Sequence, residues 1–247
     1  MKLNLPLFLL LILPAIHLGN AADHASDLAF EKHFLMGNEY FSKNQLDKAV
    51  IEFSSALKVN PLSGEAHYAL AHTYLEQWRI SFEAASRKYL EAMGSNPKAV
   101  PKAALHGNYE FYGEKRELRA LAMKEFKETI KIDPTNWGAW YYIGTDHLNQ
   151  GDYDEAIKEC EQVTKLNPKY SNGYACMGSA YYRKGLYRLA IKRYKEAIAI
   201  EPDFENAHYE LGLTYLKVDN KKEAIEELKK LKNMNSIYYE RLKNEIY

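Results

Sequence analysis

Eight histidines and two cysteines are the residues of this 247-residue chain with the most chemistry to offer. A zinc site needs ligands that converge, and no cluster here has that spacing. His67 and His72 are five residues apart and point to different faces of a helix. His33, His67 and His208 recur at one point of a repeating pattern, and His147 stands where other copies have tyrosine. The histidines therefore read as packing residues. Neither Cys160 nor Cys176 has a base in its pattern that would make it a nucleophile. There is no Gly-rich phosphate loop, no G-x-S-x-G elbow and no H-E-x-x-H. These residues point to no catalysis, no metal and no cofactor.

The composition narrows the class further. Apolar residues make up 47% and charged residues 27%, which argues against both a disordered chain and a polytopic membrane protein. Lys+Arg and Asp+Glu number 33 each, so the basic footprint of a nucleic-acid binder is missing. Two cysteines are too few for a disulfide scaffold. Tyrosine is over-used, with 20 against 9 Phe and 3 Trp, so the fold employs Tyr repeatedly.

Residues 1–21 read as a secretory signal peptide. Lys2 gives a positive start, Leu5 to Leu18 an apolar run, and Gly19-Asn20-Ala21 a small-x-small cleavage site. The run holds Pro6 and Pro14 and falls short of the ~20 residues that span a bilayer. The first cysteine is Cys160, so lipid attachment at a mature N-terminal cysteine is excluded. The expectation is an exported chain, periplasmic or secreted, with a flexible lead-in at residues 22–29.

What would position the remaining residues is a repeat. An Ala, a large residue four further on, and a Pro twelve further on recur as Ala49-Phe53-Pro61, Ala85-Tyr89-Pro97, Ala122-Phe126-Pro134, Ala156-Cys160-Pro168 and Ala190-Tyr194-Pro202. Ala224 and Leu228 begin a sixth copy. The prolines are 36, 37, 34 and 34 residues apart. Upstream lies a second signature, as in Trp140-x2-Ile143-Gly144-x2-His147, Tyr174-x2-Met177-Gly178-x2-Tyr181 and His208-x2-Leu211-Gly212-x2-Tyr215. His33-x2-Met36-Gly37-x2-Tyr40 and His67-x2-Leu70-Ala71-x2-Tyr74 match it, while Leu105-His106-x2-Tyr109 is degraded. The apolar spacing is helical. The Gly and Ala positions are small where two helices cross, and each proline stops a second helix at the residue before it.

This pattern resembles the tetratricopeptide repeat (TPR) family over residues 30–236. The resemblance implies an all-α solenoid of six helix-turn-helix repeats, about 30–63, 64–98, 99–135, 136–170, 171–204 and 205–236, closed by a capping helix at 237–247. Longer spacings in the second and third copies put insertions near Trp78 and Tyr112, read either as packing under a longer helix or as a partner-contact edge. The resemblance also places Cys160 and Cys176 on neighbouring helices, which leaves two readings open: a disulfide, or a buried thiol at Cys160.

In this family the first helices line a concave groove that holds peptides. By repeat phase that groove includes Phe34, Phe41, Tyr68, Tyr141, Leu148, Tyr182, Arg183, Tyr209 and Leu213. The family's clamp for acidic C-termini needs Lys and Asn where this chain has Tyr141 and Thr145 or Tyr68 and His72, so an apolar or aromatic-containing protein segment is the expected partner. Residues 169–202 carry seven bases and two acids, which offers a basic patch as the rival surface. The expected role is an exported scaffold, as in envelope, secretion or pilus assembly. The alternative is a self-associating or accessory subunit of an enzyme complex.

Overall fold

The computed structural model describes residues 21–92 and 116–247, and every element in them is a helix. In chain order these are α1 Ala21–Ser42, α2 Leu46–Val59, α3 Gly64–Ala92, α4 Arg116–Ile132, α5 Trp137–Gln150, α6 Tyr153–Leu166, α7 Ser171–Arg183, α8 Tyr187–Ile200, α9 Glu205–Lys217, α10 Lys221–Asn233 and α11 Tyr239–Ile246. Successive helices pack as pairs, α1 with α2, α3 with α4, and so on to α9 with α10. None of the described helices is long and apolar enough to cross a membrane.

Small residues set how close the helices of a pair approach. Ala49, Ala122, Ala156, Ala190 and Ala224 on the second helices are fully buried. In the first four pairs the side chain four residues after the Ala lies on the small residue of the first helix. A Cβ added to Gly37 would fall 2.6 Å from the Phe53 ring, and one on Gly144 would fall 2.8 Å from Cys160 Sγ. On Gly178 it would fall 2.7 Å from the Tyr194 ring. Ala71 plays the same part beneath Phe126. Interiors at this density have no room for an extra methylene.

The histidines tie helices together. His33 Nδ1 meets Glu52 at 2.6 Å, His67 Nδ1 meets Glu125 at 2.6 Å and His208 Nδ1 meets Glu227 at 2.5 Å. The other ring nitrogen of His67 and of His208 reaches a proline carbonyl of the preceding turn, Pro61 at 3.1 Å and Pro202 at 2.8 Å. Trp140 donates its indole N–H to Pro134 in the same way, at 2.9 Å. His147 Nδ1 meets Glu159 at 2.7 Å.

These pairs expose a departure from the expected repeat boundaries. His33–Glu52 and His208–Glu227 are 19 residues apart in sequence, but His67–Glu125 spans 58. The second pair is thus built from the first half of α3 and from α4, with 39 extra residues between them, the difference of 58 and 19. The second helix expected around Ala85 and Tyr89 is a continuation of α3. The reason is local. Residues 76–92 contain neither Gly nor Pro, Arg79 bonds Glu76 at 2.8 Å and Glu83 at 2.5 Å, and Trp78 stacks on Phe82 at 5.5 Å. The expected first helix around Leu105 and Tyr109, and the insertion near Tyr112, lie outside the described residues. The described residues therefore form five stacked pairs rather than six.

Residues 22–29, expected as a flexible lead-in, belong to α1. They lack helix breakers and continue a helix anchored by Phe30 and Phe34, whose rings stack at 5.7 Å. At the other end α11 inserts the buried Leu242 against Gly212, where an added Cβ would meet it at 2.6 Å. Ile246 closes the last core beside it. The first helices also touch one another along the stack, α5 with α7, α7 with α9 and α9 with α11, and so form its inner layer.

Candidate interaction surface

Where one pair meets the next, two positions 16 residues apart face each other. One lies on a second helix and the other on the following first helix. The pairs are Phe53 with Ala69, Phe126 with Tyr142, Cys160 with Cys176, and Tyr194 with Glu210. The repeat fixes the geometry of the joint and leaves its chemistry free.

The joint at Phe126 is aromatic. Phe126 and Tyr142 stack at 4.8 Å with planes 10° apart or less, at 9°. His72 sits edge-on to Tyr142 at 4.7 Å and to Tyr68 at 4.8 Å. Its Nε2 is 3.1 Å from the Tyr68 hydroxyl. The series runs on through Tyr141, 5.5 Å from Tyr142, to Tyr170 at 5.2 Å and Trp137 at 4.6 Å. Burial governs every titration here. It drives His72 down to about 4, against the pull of Glu76, and pushes the Tyr68 phenol up to about 12. Tyr142 and Tyr170 are raised further by the same cause. The rings are neutral at physiological pH and present apolar faces with hydroxyl tips.

The next joint is covalent. Cys160 and Cys176 form a disulfide with Cα atoms 6.3 Å apart, and both are buried. Tyr141, Leu148, Tyr174 and Tyr181 pack on it.

The third carries charge. Glu210 is half-buried near Tyr194, whose hydroxyl is 3.1 Å from that of Ser179. Desolvation raises the Glu210 carboxyl above its usual value, although Arg183 and Arg241 pull it down. Tyr209 stacks on Tyr238 at 5.0 Å, and the Arg241 guanidinium lies 5.9 Å from each ring centroid. Tyr182 meets Tyr187 edge-on at 5.6 Å.

The groove residues expected from repeat phase fall into three places. Phe34 and Phe41 pack on the core of the first pair, with Phe34 5.7 Å from Phe53. Tyr68, Tyr141 and Leu148 line the aromatic and disulfide joints. Tyr182, Arg183, Tyr209 and Leu213 gather near Glu210. All are partly buried except Arg183, which is exposed. Sequence reasoning passed over Tyr142, Tyr170, Glu210 and Arg241. The 34-residue register from Tyr142 through Cys176 to Glu210 was the signal available for Glu210. Among the described residues no group of three or more His, Cys, Asp or Glu is placed to hold a metal ion.

A one-dimensional stack of helix pairs, with an inner layer of first helices and variable joints, defines a helical-repeat solenoid. Models described as "TPR repeat" match residues 37–77 and 178–219, and models described as "Tetratricopeptide repeat" match 137–170 and 205–238. The chain is a tetratricopeptide repeat protein. No curated protein matches the sequence. Among solved structures, "Crystal structure of MamA protein" is similar at 21% identity and a TM-score of 0.60, over 83% of this chain and 91% of that one. YrrB, described as "a TPR protein with an unusual peptide-binding site", gives 16% and 0.62 over 91% and 98%. A MamA chain from Desulfovibrio magneticus RS-1 gives 16% and 0.60 over 84% and 95%. Likeness at this identity establishes the fold.

Proposed function

We propose that this protein is an exported, non-enzymatic scaffold that binds an apolar or aromatic-containing protein segment along its inner layer of first helices, in the assembly of an envelope, secretion or pilus complex. The observation that carries the reading is the run of partly buried, neutral tyrosines on those helices, from Tyr68 and Tyr141 to Tyr182 and Tyr209. Tyrosine offers a large apolar body, a polar tip and few rotamers to freeze, which suits a binding face. Export is supported by the Lys2, Leu5–Leu18 and Gly19-Asn20-Ala21 pattern and by a disulfide suited to an oxidising compartment.

The test is a partner captured by crosslinking in the native envelope, followed by its affinity for the Tyr141→Ala/Tyr182→Ala double variant. Loss of about 2 kcal/mol, the size of an interface hot spot, is expected. Affinity unchanged in the variant, or binding abolished by salt, would sink the aromatic surface and favour the basic segment 169–202. Intact mass from an exporting host is expected to show Ala22 at the N-terminus.

A further inference from the structure

The joint position on a first helix lies two residues before the small residue: Ala69 before Ala71, Tyr142 before Gly144, Cys176 before Gly178 and Glu210 before Gly212. On α1 the same position, two residues before Gly37, is Leu35. Among the described residues no preceding second helix packs on it, and Leu35 is 57% exposed. Leu28, two turns earlier on the same stripe, is 65% exposed. The other end of the stack is finished differently. There α11 lays Leu242 and Ile246 into the last core, and both are buried. A solenoid end needs such a cover, with a polar outer face, to stay in water. The α1 end has half a joint instead, with its leucine already in place.

The stripe itself limits what can close that joint. Leu28 and Leu35 are one heptad apart, the spacing at which one helix lies along another. Between them on the exposed face stand Glu31 and Lys32, of opposite charge. The point midway between Leu28 and Leu35 is also midway between Glu31 and Lys32. A two-fold axis through that point sets a second α1 antiparallel to the first. Each Leu28 then meets the partner's Leu35, and each Glu31 faces the partner's Lys32. An axis moved to Leu35 brings Glu31 against the partner's Glu39 and leaves Leu28 opposite the partner's Ser42. An axis moved to Leu28 turns Lys32 toward the partner's His24 and leaves Leu35 without a leucine. Of these registers only the first pairs all the leucines and opposes unlike charges.

We infer that α1 is a dimerisation helix: two copies of this chain join head to head through an antiparallel α1 pair centred between Glu31 and Lys32. Joint positions face along the stack, so the contact leaves the inner layer of each copy open and makes the dimer bivalent. Two leucines per copy bury little area, so the association is of the weak, micromolar kind.

The measurement is sedimentation equilibrium on the chain purified from an exporting host, from micromolar to submillimolar concentration. A monomer–dimer equilibrium is expected. Leu28→Glu/Leu35→Glu should leave only monomer, with the urea midpoint of the dilute protein unchanged because both side chains are exposed. Glu31→Lys should weaken the dimer roughly fivefold, by turning two attractions into repulsions, and Glu31→Lys/Lys32→Glu should restore it. These exchanges stay on a solvated face, so they decide the question should the leucine variant fold poorly. Monomer at every concentration would overturn the inference, as would a dimer that survives Leu28→Glu/Leu35→Glu, or assemblies larger than two. A dimer strengthened by Glu31→Lys would overturn it too, because that result belongs to the register in which residue 31 meets the partner's Glu39.

Discussion

The joint at Phe126–Tyr142 and the joint at Tyr194–Glu210 occupy the same place in the repeat, two copies apart, and are built in opposite ways. The first closes on stacked rings and keeps even its histidine uncharged. The second keeps a carboxylate that its surroundings desolvate. Both stand on the same foundation, a small residue on the first helix and a fully buried Ala on the second: Ala71 with Ala122, Gly178 with Ala190. The contrast teaches that the fold is carried by the small residues. The joint is where this chain has been free to vary, and its variation is chemical rather than architectural.

The largest effect that would sharpen this contrast is on stability. Phe126 is fully buried, so Phe126→Ala should cost about 3–5 kcal/mol by urea denaturation. Glu210→Leu should cost little, because the carboxylate is only half-buried, has no direct partner and is penalised by desolvation. A Glu210→Leu variant as damaged as Phe126→Ala would mean that both joints are structural and that the distinction is false.

Between them lies the disulfide joint. It closes a 16-residue separation, and Cys160→Ala/Cys176→Ala should lose about 3 kcal/mol. The Cys160→Phe/Cys176→Tyr variant puts the aromatic joint's pair in its place. Gly144 leaves the ring the same room that Gly37 leaves Phe53 and Gly178 leaves Tyr194. Thermal melts should show this variant recovering part of the loss. If it recovers none, the joints are not interchangeable units.

Much of this was legible in the sequence, for a stated reason. Small-residue positions and prolines are local, and spacing alone reveals them. The pairing of α3 with α4 was not legible, because Ala85, Tyr89 and Pro97 mimic a second helix at nearly the right interval. The discriminating residue was there. Nineteen residues after His33 and His208 stand Glu52 and Glu227, but nineteen after His67 stands Ser86, and the carboxylate arrives only at Glu125. The aromatic joint was half legible. Tyr68 and Tyr141 follow from phase, whereas Tyr142 and Tyr170 join them only through packing between pairs. Glu210 was missed because a lone Glu on a helix reads as solvated, and the tyrosines that feel its charge, Tyr182, Tyr194 and Tyr209, come from three helices.

The smallest effect is the most discriminating, because the two joints should respond to acid with opposite signs. His72 has a folded value of about 4 against an ordinary 6.5, so the folded state favours its neutral form. Between those values the unfolded chain binds a proton that the folded chain refuses, and stability falls as pH drops from 6.5 toward 4. Glu210 is raised above 4.5, so the folded chain takes up its proton first. Its destabilisation is full above the folded value and disappears as pH drops below 4.5. Acid therefore weakens the aromatic joint and relieves the charged one. His72→Phe should flatten the acid-side loss by on the order of 2–3 kcal/mol between pH 7 and 4. Glu210→Gln should gain about 1 kcal/mol or less at pH 7, since its site is partly open to solvent, and nothing at pH 4. Urea midpoints of the three proteins at pH 4, 5, 6 and 7 provide the comparison, and titrations shared by all three cancel in the differences. Parallel curves for wild type and both variants would show that neither joint senses protons, and the opposition between them would fall.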